Sequence, residues 1–126
     1  MNSGDTFLHR GEDHVEHLWV IVSDPNQNQQ KVLIIHVTTF ETYKEDVCLL
    51  DVGDHPRIKH ASCMAYNRAR LVSLDKLTEL RDSRLIAPQA SVSADLLARI
   101  RSGANQSKLL KLKYQALLEE QGLIDY

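Results

Sequence analysis

Two apolar runs dominate the first third of the chain: His17-Leu18-Trp19-Val20-Ile21-Val22-Ser23 and Lys31-Val32-Leu33-Ile34-Ile35-His36-Val37-Thr38-Thr39. Both are rich in β-branched residues, and the turn residues Asp24-Pro25-Asn26 end the first run, so we predict two strands. Because polar residues do not alternate through either run, each strand needs cover on both faces. The short connection predicts a hairpin, with Trp19 in the core.

Shorter strands are predicted on the C-terminal side of this hairpin. Asp46-Val47-Cys48-Leu49-Leu50-Asp51 is one candidate, and Gly53 directly after it supplies the backbone freedom for a sharp turn. The segment from Ile58 to Tyr66 is typical of a bulged strand or strand pair, and Ala69-Arg70-Leu71-Val72-Ser73-Leu74 of another strand. Several short strands with brief connections predict a small barrel.

The apolar period becomes helical after Asp75. Leucines at 74, 77 and 80 predict one short helix. An apolar stripe between Ser93 and Gly103 predicts a second helix, with Ser93 as its N-cap and Gly103 at its end. Ser107 is the candidate N-cap of a third helix, which Gly122 closes.

The composition is that of one folded domain of the α+β, mainly β, class. The chain has 126 residues, enough to bury one core, and its 43% hydrophobic and 25% charged residues exclude a disordered chain. We divide it into a polar lead-in (1–16), a barrel (17–74) and a helical part (75–126). The formal charge of −2 excludes a protein that binds nucleic acid by its overall charge, so such a role needs a local basic patch.

The compartment is predicted from the cysteines and from the first residues. Cys48 and Cys63 each stand in an apolar stretch, without a partner at the spacing of a zinc or redox motif, so we expect buried free thiols. Met1-Asn2-Ser3-Gly4-Asp5-Thr6 has no signal-peptide pattern, and no apolar run approaches the roughly 18 residues of a membrane span. We therefore predict a cytoplasmic protein without a membrane partner.

Chargeable side chains are densest in Gly53-Asp54-His55-Pro56-Arg57-Ile58-Lys59-His60, with Ser62 just beyond. Histidine titrates near neutral pH, and Arg or Lys neutralises a phosphorane, so metal-independent phosphodiester cleavage needs these residue types. An extended path after Pro56 would point Arg57 and Lys59 to one face and His60 to the other. The alternative is a structural turn, with Asp54 capping backbone amides and His55 packing on Pro56.

Two further groups of side chains are candidates for binding. Thr38 and Thr39 end the second long strand, where a hydroxyl can bind a phosphate or orient a nucleophile, although Thr is also a common strand residue. An aromatic and basic cluster, in which Tyr could stack a base and Arg could bind the backbone, consists of Tyr43, Tyr66, Asn67, Arg68 and Arg70. The alternative for this cluster is a cross-strand aromatic pair with solvated arginines.

The spacing His14-x-x-His17, with Glu12, Asp13 and Glu16 nearby, suggests a divalent metal site. No cysteine and no second paired cluster completes a set of four ligands. The alternative is a solvated, polar lead-in to the first strand. We therefore predict neither a metal nor a cofactor.

The order of these features resembles the PemK and MazF class of ribonuclease toxins of bacterial toxin–antitoxin systems, small homodimeric barrels related to SH3 folds. The resemblance covers His17 to Gly103, and the segments that carry it are Leu18-Trp19-Val20-Ile21-Val22-Ser23, Val32-Leu33-Ile34-Ile35-His36-Val37-Thr38-Thr39, His60-Ala61-Ser62-Cys63-Met64-Ala65-Tyr66-Asn67 and Arg70-Leu71-Val72-Ser73-Leu74-Asp75-Lys76-Leu77. It implies an SH3-like, PemK-type barrel of about five to seven strands with C-terminal helices.

The resemblance also implies residue roles. In the family, a Thr or Ser at the end of the second strand and an Arg before the first act on the scissile phosphate of single-stranded RNA. Thr38 or Thr39 matches the first role. Glu12-Asp13-His14-Val15-Glu16-His17 stands where the family has its arginine. Arg10, His14 and His17 are the candidates to replace that arginine.

The leading prediction is a metal-independent endoribonuclease toxin in which an RNA 2′-hydroxyl attacks the adjacent phosphate. Its predicted partners are single-stranded RNA, an antitoxin and a second copy of the chain. The alternatives are a noncatalytic SH3-like module that binds protein or nucleic acid, and a metal-dependent hydrolase using His14, His17 and their acidic neighbours. The predicted catalytic residues are His55, His60, Arg57, Thr38 and Thr39, and the predicted RNA-binding residues are Lys59, Ser62, Tyr66, Arg68 and Arg70.

Overall fold

The computed structural model describes residues 1–11, 14–27 and 30–125, and within them it has the predicted α+β, mainly β, class. None of the described helices is both long and apolar enough to cross a membrane. The strands are β1 (Thr6–Arg10), β2 (Glu16–Ile21), β3 (Lys31–Thr39), β4 (Leu49–Leu50), β5 (Ser62–Met64), β6 (Arg70–Ser73) and β7 (Ile86–Gln89). The helices are α1 (Leu74–Asp82), α2 (Ala94–Gln106) and α3 (Leu112–Glu120), with a 3₁₀ turn at Tyr66–Arg68.

The nine-residue strand β3 organises the sheet, whose strand order is β4-β5-β3-β2-β1-β7. The predicted hairpin is confirmed, because β3 pairs antiparallel with β2, with Val20 opposite Ile35. On its other side β3 pairs first with β6, where Ile34 lies opposite Arg70, and then with β5, where Thr38 lies opposite Cys63. One long strand therefore brings the ends of β2, β5 and β6 together.

Two hydrophobic cores explain why β2 and β3 are apolar without alternation. Val20, Leu33 and Ile35 belong to the larger core, together with residues of α2 and α3. The next residues along the strands belong to the smaller core, which α1 and β7 cover; they are Trp19, Ile21, Val32 and Ile34. Neighbouring side chains thus alternate between two covered faces, as the sequence predicted, and Trp19 is buried.

Two strands lie in segments where we did not expect them. β1 lies in the polar lead-in and β7 in the helical part, and the two pair with each other. β1 has only Thr6 and Phe7 buried, and β7 contains Pro88. Proline is tolerated in a strand at a sheet edge, which is where β7 lies. Both strands are held by pairing with each other, although they are far apart in the sequence. Their own residues therefore show little of the apolar pattern that predicts a strand.

The C-terminal helices confirm one predicted cap and contradict one predicted end and one predicted cap. Ser93 caps α2, because its Oγ accepts from the backbone N–H of Leu96 at 3.1 Å. The prediction that Gly103 ends this helix is wrong: α2 continues to Gln106 and Gly103 is buried within it. Ser107 is the C-cap of α2 and not the N-cap of α3, which begins at Leu112.

Both cysteines are buried free thiols, as predicted. Burial raises the pKa of the Cys48 and Cys63 thiols above the ordinary value. A thiol that stays protonated is a weak nucleophile, so neither cysteine is suited to covalent chemistry.

Candidate functional site

A cavity of about 440 Å³ lies beside the C-terminal half of β3. Strands β1, β2, β3, β5 and β6, the 3₁₀ turn and the loop after β3 all contribute to its wall. The lining residues are His9, Gly11, His17, Trp19, His36, Thr38, Tyr43, Lys44, Glu45, Cys63, Met64, Ala65, Tyr66, Asn67, Arg68, Arg70 and Leu109.

Aromatic rings form the wall of the cavity on β2 and β3. The rings of His17 and His36 are stacked, with centroids 3.9 Å apart and planes inclined by 25°. Trp19 meets His36 edge-on at 4.8 Å. The Nδ1 of His36 lies 3.0 Å from the carbonyl oxygen of Val37, which can only accept, so Nδ1 carries the proton of the neutral ring and Nε2 is the basic nitrogen.

A hydroxyl and an ammonium meet at the end of β3. The Nζ of Lys44 donates to Thr38 Oγ1 at 3.3 Å and to the backbone carbonyl of Thr39 at 2.7 Å. The Thr38 hydroxyl accepts from Lys44 and can therefore direct its own hydrogen toward a ligand. Thr38 and His36 share one face of β3, since they are two residues apart on a strand. This arrangement suits the binding of a phosphate.

The fixed charges that line the cavity are mainly positive. Lys44, Arg68 and Arg70 are cationic at neutral pH, and Glu45 is the acidic residue among the lining residues. The Glu45 carboxylate accepts from Ser107 Oγ and from the backbone N–H of Lys108, each at 2.7 Å. Because both of its carboxylate oxygens accept hydrogen bonds from the segment after α2, Glu45 has a structural role. The remaining charge favours an anionic ligand, although the whole chain has a net charge of −2.

The cavity gathers four of the ten predicted site residues, namely Thr38, Tyr66, Arg68 and Arg70. Tyr66 is buried there, and its hydroxyl donates to the carbonyl oxygen of Ile100 at 2.6 Å. Burial raises the pKa of Tyr66 far above its ordinary value, so the hydroxyl stays protonated and joins the 3₁₀ turn to α2. The ring is not presented for stacking, whereas that of Tyr43 is 78% exposed on the cavity wall.

The other six predicted residues do not line the cavity; they are Thr39, His55, Arg57, Lys59, His60 and Ser62. Thr39 points to the opposite face of β3 from Thr38, and its Oγ1 lies 2.8 Å from His60 Nε2. Ser62 is buried and donates to the carbonyl oxygen of His60 at 2.8 Å. Arg57 Nε donates to the Gln89 side chain at 2.9 Å. Lys59 is exposed.

His55 is buried, and the backbone holds both of its ring nitrogens. Its Nδ1 accepts from the N–H of Arg57 at 3.0 Å, so the proton of the neutral ring is on Nε2, which donates to the carbonyl oxygen of Ala90 at 2.6 Å. Thr6 Oγ1 donates to the same carbonyl at 2.7 Å. The ring thus joins the charged turn to the segment after β7.

Asp54 closes the same turn. Its carboxylate accepts from the backbone N–H of Asp51 at 2.9 Å and from Arg99 of α2 at 3.1 Å. The hydrogen bond from Asp51, with the bond and charge of Arg99, holds the pKa of Asp54 below its ordinary value. These contacts match the structural alternative for the turn, in which Asp54 caps backbone amides.

Replacing His55 by alanine is therefore expected to lower the free energy of unfolding by about 2 kcal/mol. The substitution leaves a buried cavity and removes the acceptor of the Arg57 N–H. His60→Ala is the matched control in the same turn, since His60 is exposed, and its cost is expected to be below about 0.5 kcal/mol. Urea unfolding measures both. Equal stability of the two variants would contradict the structural role of His55.

Among the lining residues that were not predicted as site residues are His9, His36 and Lys44. His36 could have been found, because it interrupts the apolar run two residues before Thr38 on the same strand face. Lys44 follows the strand in a loop and has no sequence signal. Of the candidates to replace the family arginine, His17 lines the cavity, whereas Arg10 and His14 do not.

The predicted alternative of a metal site involves the segment before β2. No group of three or more His, Cys, Asp or Glu side chains within 1–11, 14–27 and 30–125 is placed to hold a metal ion. Glu12 and Asp13, which belonged to the suggested ligand set, lie outside the described residues.

Neither a protein-family model nor a curated protein sequence matches the chain. Solved structures do match. A chain from a complex of an endoribonuclease with its cognate antitoxin from a mycobacterial species has a TM-score of 0.56 and 12% identity, covering 84% of this chain and 92% of that one. A chain of the MazE–MazF complex from Deinococcus radiodurans has a TM-score of 0.55 and 13% identity, covering 88% of this chain and 97% of that one. The chain therefore has the PemK/MazF-type fold that its sequence resembles.

Proposed function

We propose that this protein is a metal-independent endoribonuclease toxin of a toxin–antitoxin system, and that it cleaves single-stranded RNA at Thr38. The observation that carries the proposal is the cluster of Thr38, Lys44, Arg68 and Arg70 in one cavity. A threonine hydroxyl and fixed cations are groups that bind a phosphate and stabilise the charge that develops on it during transfer. The PemK/MazF-type fold supports the same reaction.

The cavity suits a single RNA strand. The scissile phosphate would lie at the Thr38 hydroxyl and the Lys44 ammonium, with Arg68 and Arg70 on neighbouring phosphates. The exposed ring of Tyr43 offers a stacking surface for an unpaired base. Attack of the 2′-hydroxyl on phosphorus breaks the bond to the 5′-oxygen and gives a 2′,3′-cyclic phosphate and a 5′-hydroxyl. The fixed cations supply the charge stabilisation that a metal ion supplies in other nucleases.

The direct test incubates the purified protein with a panel of single-stranded and duplex RNAs in excess chelator. We expect cleavage of single strands with 2′,3′-cyclic phosphate ends, and little cleavage of duplexes. An Arg68→Ala/Arg70→Ala variant is expected to bind RNA about tenfold more weakly at physiological salt and to show a shallower salt dependence, since two phosphate contacts are lost. Lys44→Met, purified in parallel, controls for contaminating nuclease.

Intact RNA across the panel would overturn the proposed activity. If the protein then still captured a partner protein or RNA, the noncatalytic interaction module would be the better function. Cleavage by Lys44→Met at the wild-type rate would assign the activity to a contaminant or to another site.

We also propose an antitoxin partner, a homodimer and a cytoplasmic location. The exposed apolar side chains of Tyr43 and Leu109 flank the cations of the cavity, so a partner segment with carboxylates and apolar residues would fit there. Of the two solved structures named above, one is a complex of an endoribonuclease with its cognate antitoxin and the other is a MazE–MazF complex. Inhibition of RNA cleavage by the product of an adjacent small gene tests the first proposal, and light scattering of the purified protein tests the second.

A further inference from the structure

We propose that Glu45 is a positioning residue of this site, which keeps the Lys44 ammonium at Thr38 through two hydrogen bonds to the segment after α2. Glu45 acts through Lys44 and not on the RNA itself. This role rests on the proposed function, in which Lys44 and Thr38 bind the scissile phosphate, and deepens it by naming the group that keeps the ammonium in place. A carboxylate that lines a cavity for an anion otherwise opposes binding, so its presence there requires a reason.

The loop that carries Lys44 is largely exposed. Residues 41–43 are exposed, and Lys44 and Glu45 are only partly buried. A loop of this kind opens at a low cost in free energy. The bonds from the Lys44 ammonium to Thr38 Oγ1 (3.3 Å) and to the Thr39 carbonyl (2.7 Å) form only while the loop backbone stays beside β3. The position of the ammonium therefore depends on what fixes the loop.

The Glu45 carboxylate fixes the loop at two points. One oxygen accepts from Ser107 Oγ and the other from the backbone N–H of Lys108, each at 2.7 Å. These are the lengths of charge-assisted hydrogen bonds, which are stronger than neutral ones. Because Glu45 directly follows Lys44 in the chain, fixing its carboxylate limits where the Lys44 backbone can lie.

The partner of this carboxylate is a buried segment that both C-terminal helices fix. Ser107 is 5% exposed, and its Oγ accepts from the backbone N–H groups of Leu109 and Leu110, each at 3.1 Å. Its carbonyl oxygen accepts from the Gln115 side chain of α3 at 3.1 Å, and its N–H donates to the Gly103 carbonyl of α2 at 2.8 Å. The loop is thus attached to a part of the molecule that packs on the larger core.

The hydrogen-bonding capacity of the partners explains why position 45 carries a carboxylate. A serine hydroxyl has one hydrogen and two lone pairs. The Ser107 hydroxyl gives its hydrogen to Glu45 and accepts twice, and the Lys108 N–H can only donate. Position 45 must therefore supply two acceptors. A glutamine amide has one acceptor oxygen, so Glu45→Gln loses one of the two bonds in either orientation of the amide.

The first test compares the cleavage of single-stranded RNA by the wild type, Glu45→Gln and Asp46→Asn. For each protein it measures the maximal rate with protein in excess and the protein concentration that gives half of that rate. Asp46→Asn is the matched control, because it removes the same charge from an exposed position of the same loop. By charge alone, removing a carboxylate near the RNA would strengthen binding.

The positioning role predicts a lower maximal rate instead. We expect Glu45→Gln to lower this rate about tenfold, because the ammonium spends less time at the scissile phosphate. The half-saturating concentration should change little, since Arg68 and Arg70 still bind the strand. Asp46→Asn should stay within about twofold of the wild type in both quantities.

A double-mutant cycle tests whether Glu45 acts through Lys44. In the Lys44→Met background, Glu45→Gln should slow cleavage by less than about twofold, because the group that it positions is gone. Ser107→Ala removes the same bond from the other side, and should likewise slow cleavage only where Lys44 is present. Urea unfolding of each variant gives its folded fraction, to which the rates are normalised.

A measurement without RNA tests the position of the ammonium directly. In ¹⁵N-labelled protein, hydrogen bonding to the Thr39 carbonyl protects the Lys44 ammonium from exchange with water, so we expect a separate side-chain NMR signal at low temperature. Its absence from Lys44→Met assigns the signal. The signal should be lost in Glu45→Gln and kept in Asp46→Asn.

Three results would overturn the positioning role. Cleavage by Glu45→Gln as fast as by the wild type, or faster, would leave the carboxylate with an effect of charge only. Equal slowing by Glu45→Gln with and without Lys44 would mean that the carboxylate serves the fold or another group. A Lys44 signal that persists in Glu45→Gln would show that other contacts hold the ammonium. A wild type that cleaves no RNA overturns the proposed function instead, and the NMR comparison then still decides whether Glu45 positions Lys44.

Discussion

Replacing Thr38 by valine is expected to lower the rate constant for RNA cleavage about a hundredfold, because it removes a hydroxyl donor from the position of the scissile phosphate. Valine keeps the shape and the β-branch of threonine, so β3 should remain intact. The substitution also removes one acceptor of Lys44, which retains its bond to the Thr39 carbonyl. Single-turnover cleavage of an RNA that the wild type cuts gives the measurement.

The next residue on the same strand provides the matched control. Thr39 points to the other face of β3, where its Oγ1 lies 2.8 Å from His60 Nε2 on the exposed surface. Thr39→Val should therefore leave the cleavage rate within about threefold of the wild type, since surface substitutions away from a site have small effects. If Thr39→Val cleaved RNA much more slowly than Thr38→Val, the site would lie at the charged turn and not in the cavity.

The two threonines also show where prediction from sequence ends. The family resemblance and the end of the strand indicate both Thr38 and Thr39, and the alternation of a strand indicates that only one can face a given cavity. Choosing Thr38 over Thr39 requires knowing which face of β3 borders the cavity. That depends on the loop carrying Lys44 and on the 3₁₀ turn carrying Arg68, and neither position follows from local pattern.

The residues of the charged turn were predicted to form the site but do not line the cavity, and the reason is related. A histidine among charged residues has the composition of an active site, yet the partners of His55 are a backbone amide two residues away and the carbonyl of Ala90. That carbonyl follows β7, a strand without a clear sequence signal. The central hairpin was predictable because burial on two faces leaves a continuous apolar pattern in the sequence.

Gly103→Ala is expected to cause the largest loss of stability, about 2 to 3 kcal/mol, from overpacking the helix α2 against the core. A methyl group there would overlap Tyr66 Oη and come within 2.9 Å of Cys48 Cβ and 3.1 Å of Tyr66 Cζ. Alanine favours a helix over glycine by up to about 1 kcal/mol, so the steric term must exceed that gain. We expect the melting temperature to fall by about 10 °C.

A double-mutant cycle with Tyr66→Phe tests the cause of this loss. The phenylalanine variant alone should cost about 1 kcal/mol, because the bond to the Ile100 carbonyl is lost. It also removes the atom that the new methyl group would overlap, so the double variant should be more stable than the sum of the two costs predicts, by about 1 kcal/mol or more. Asn105→Ala, at an exposed position of α2, is the control and should not destabilise the protein. Strict additivity would mean that glycine at 103 is not required by the contact with Tyr66.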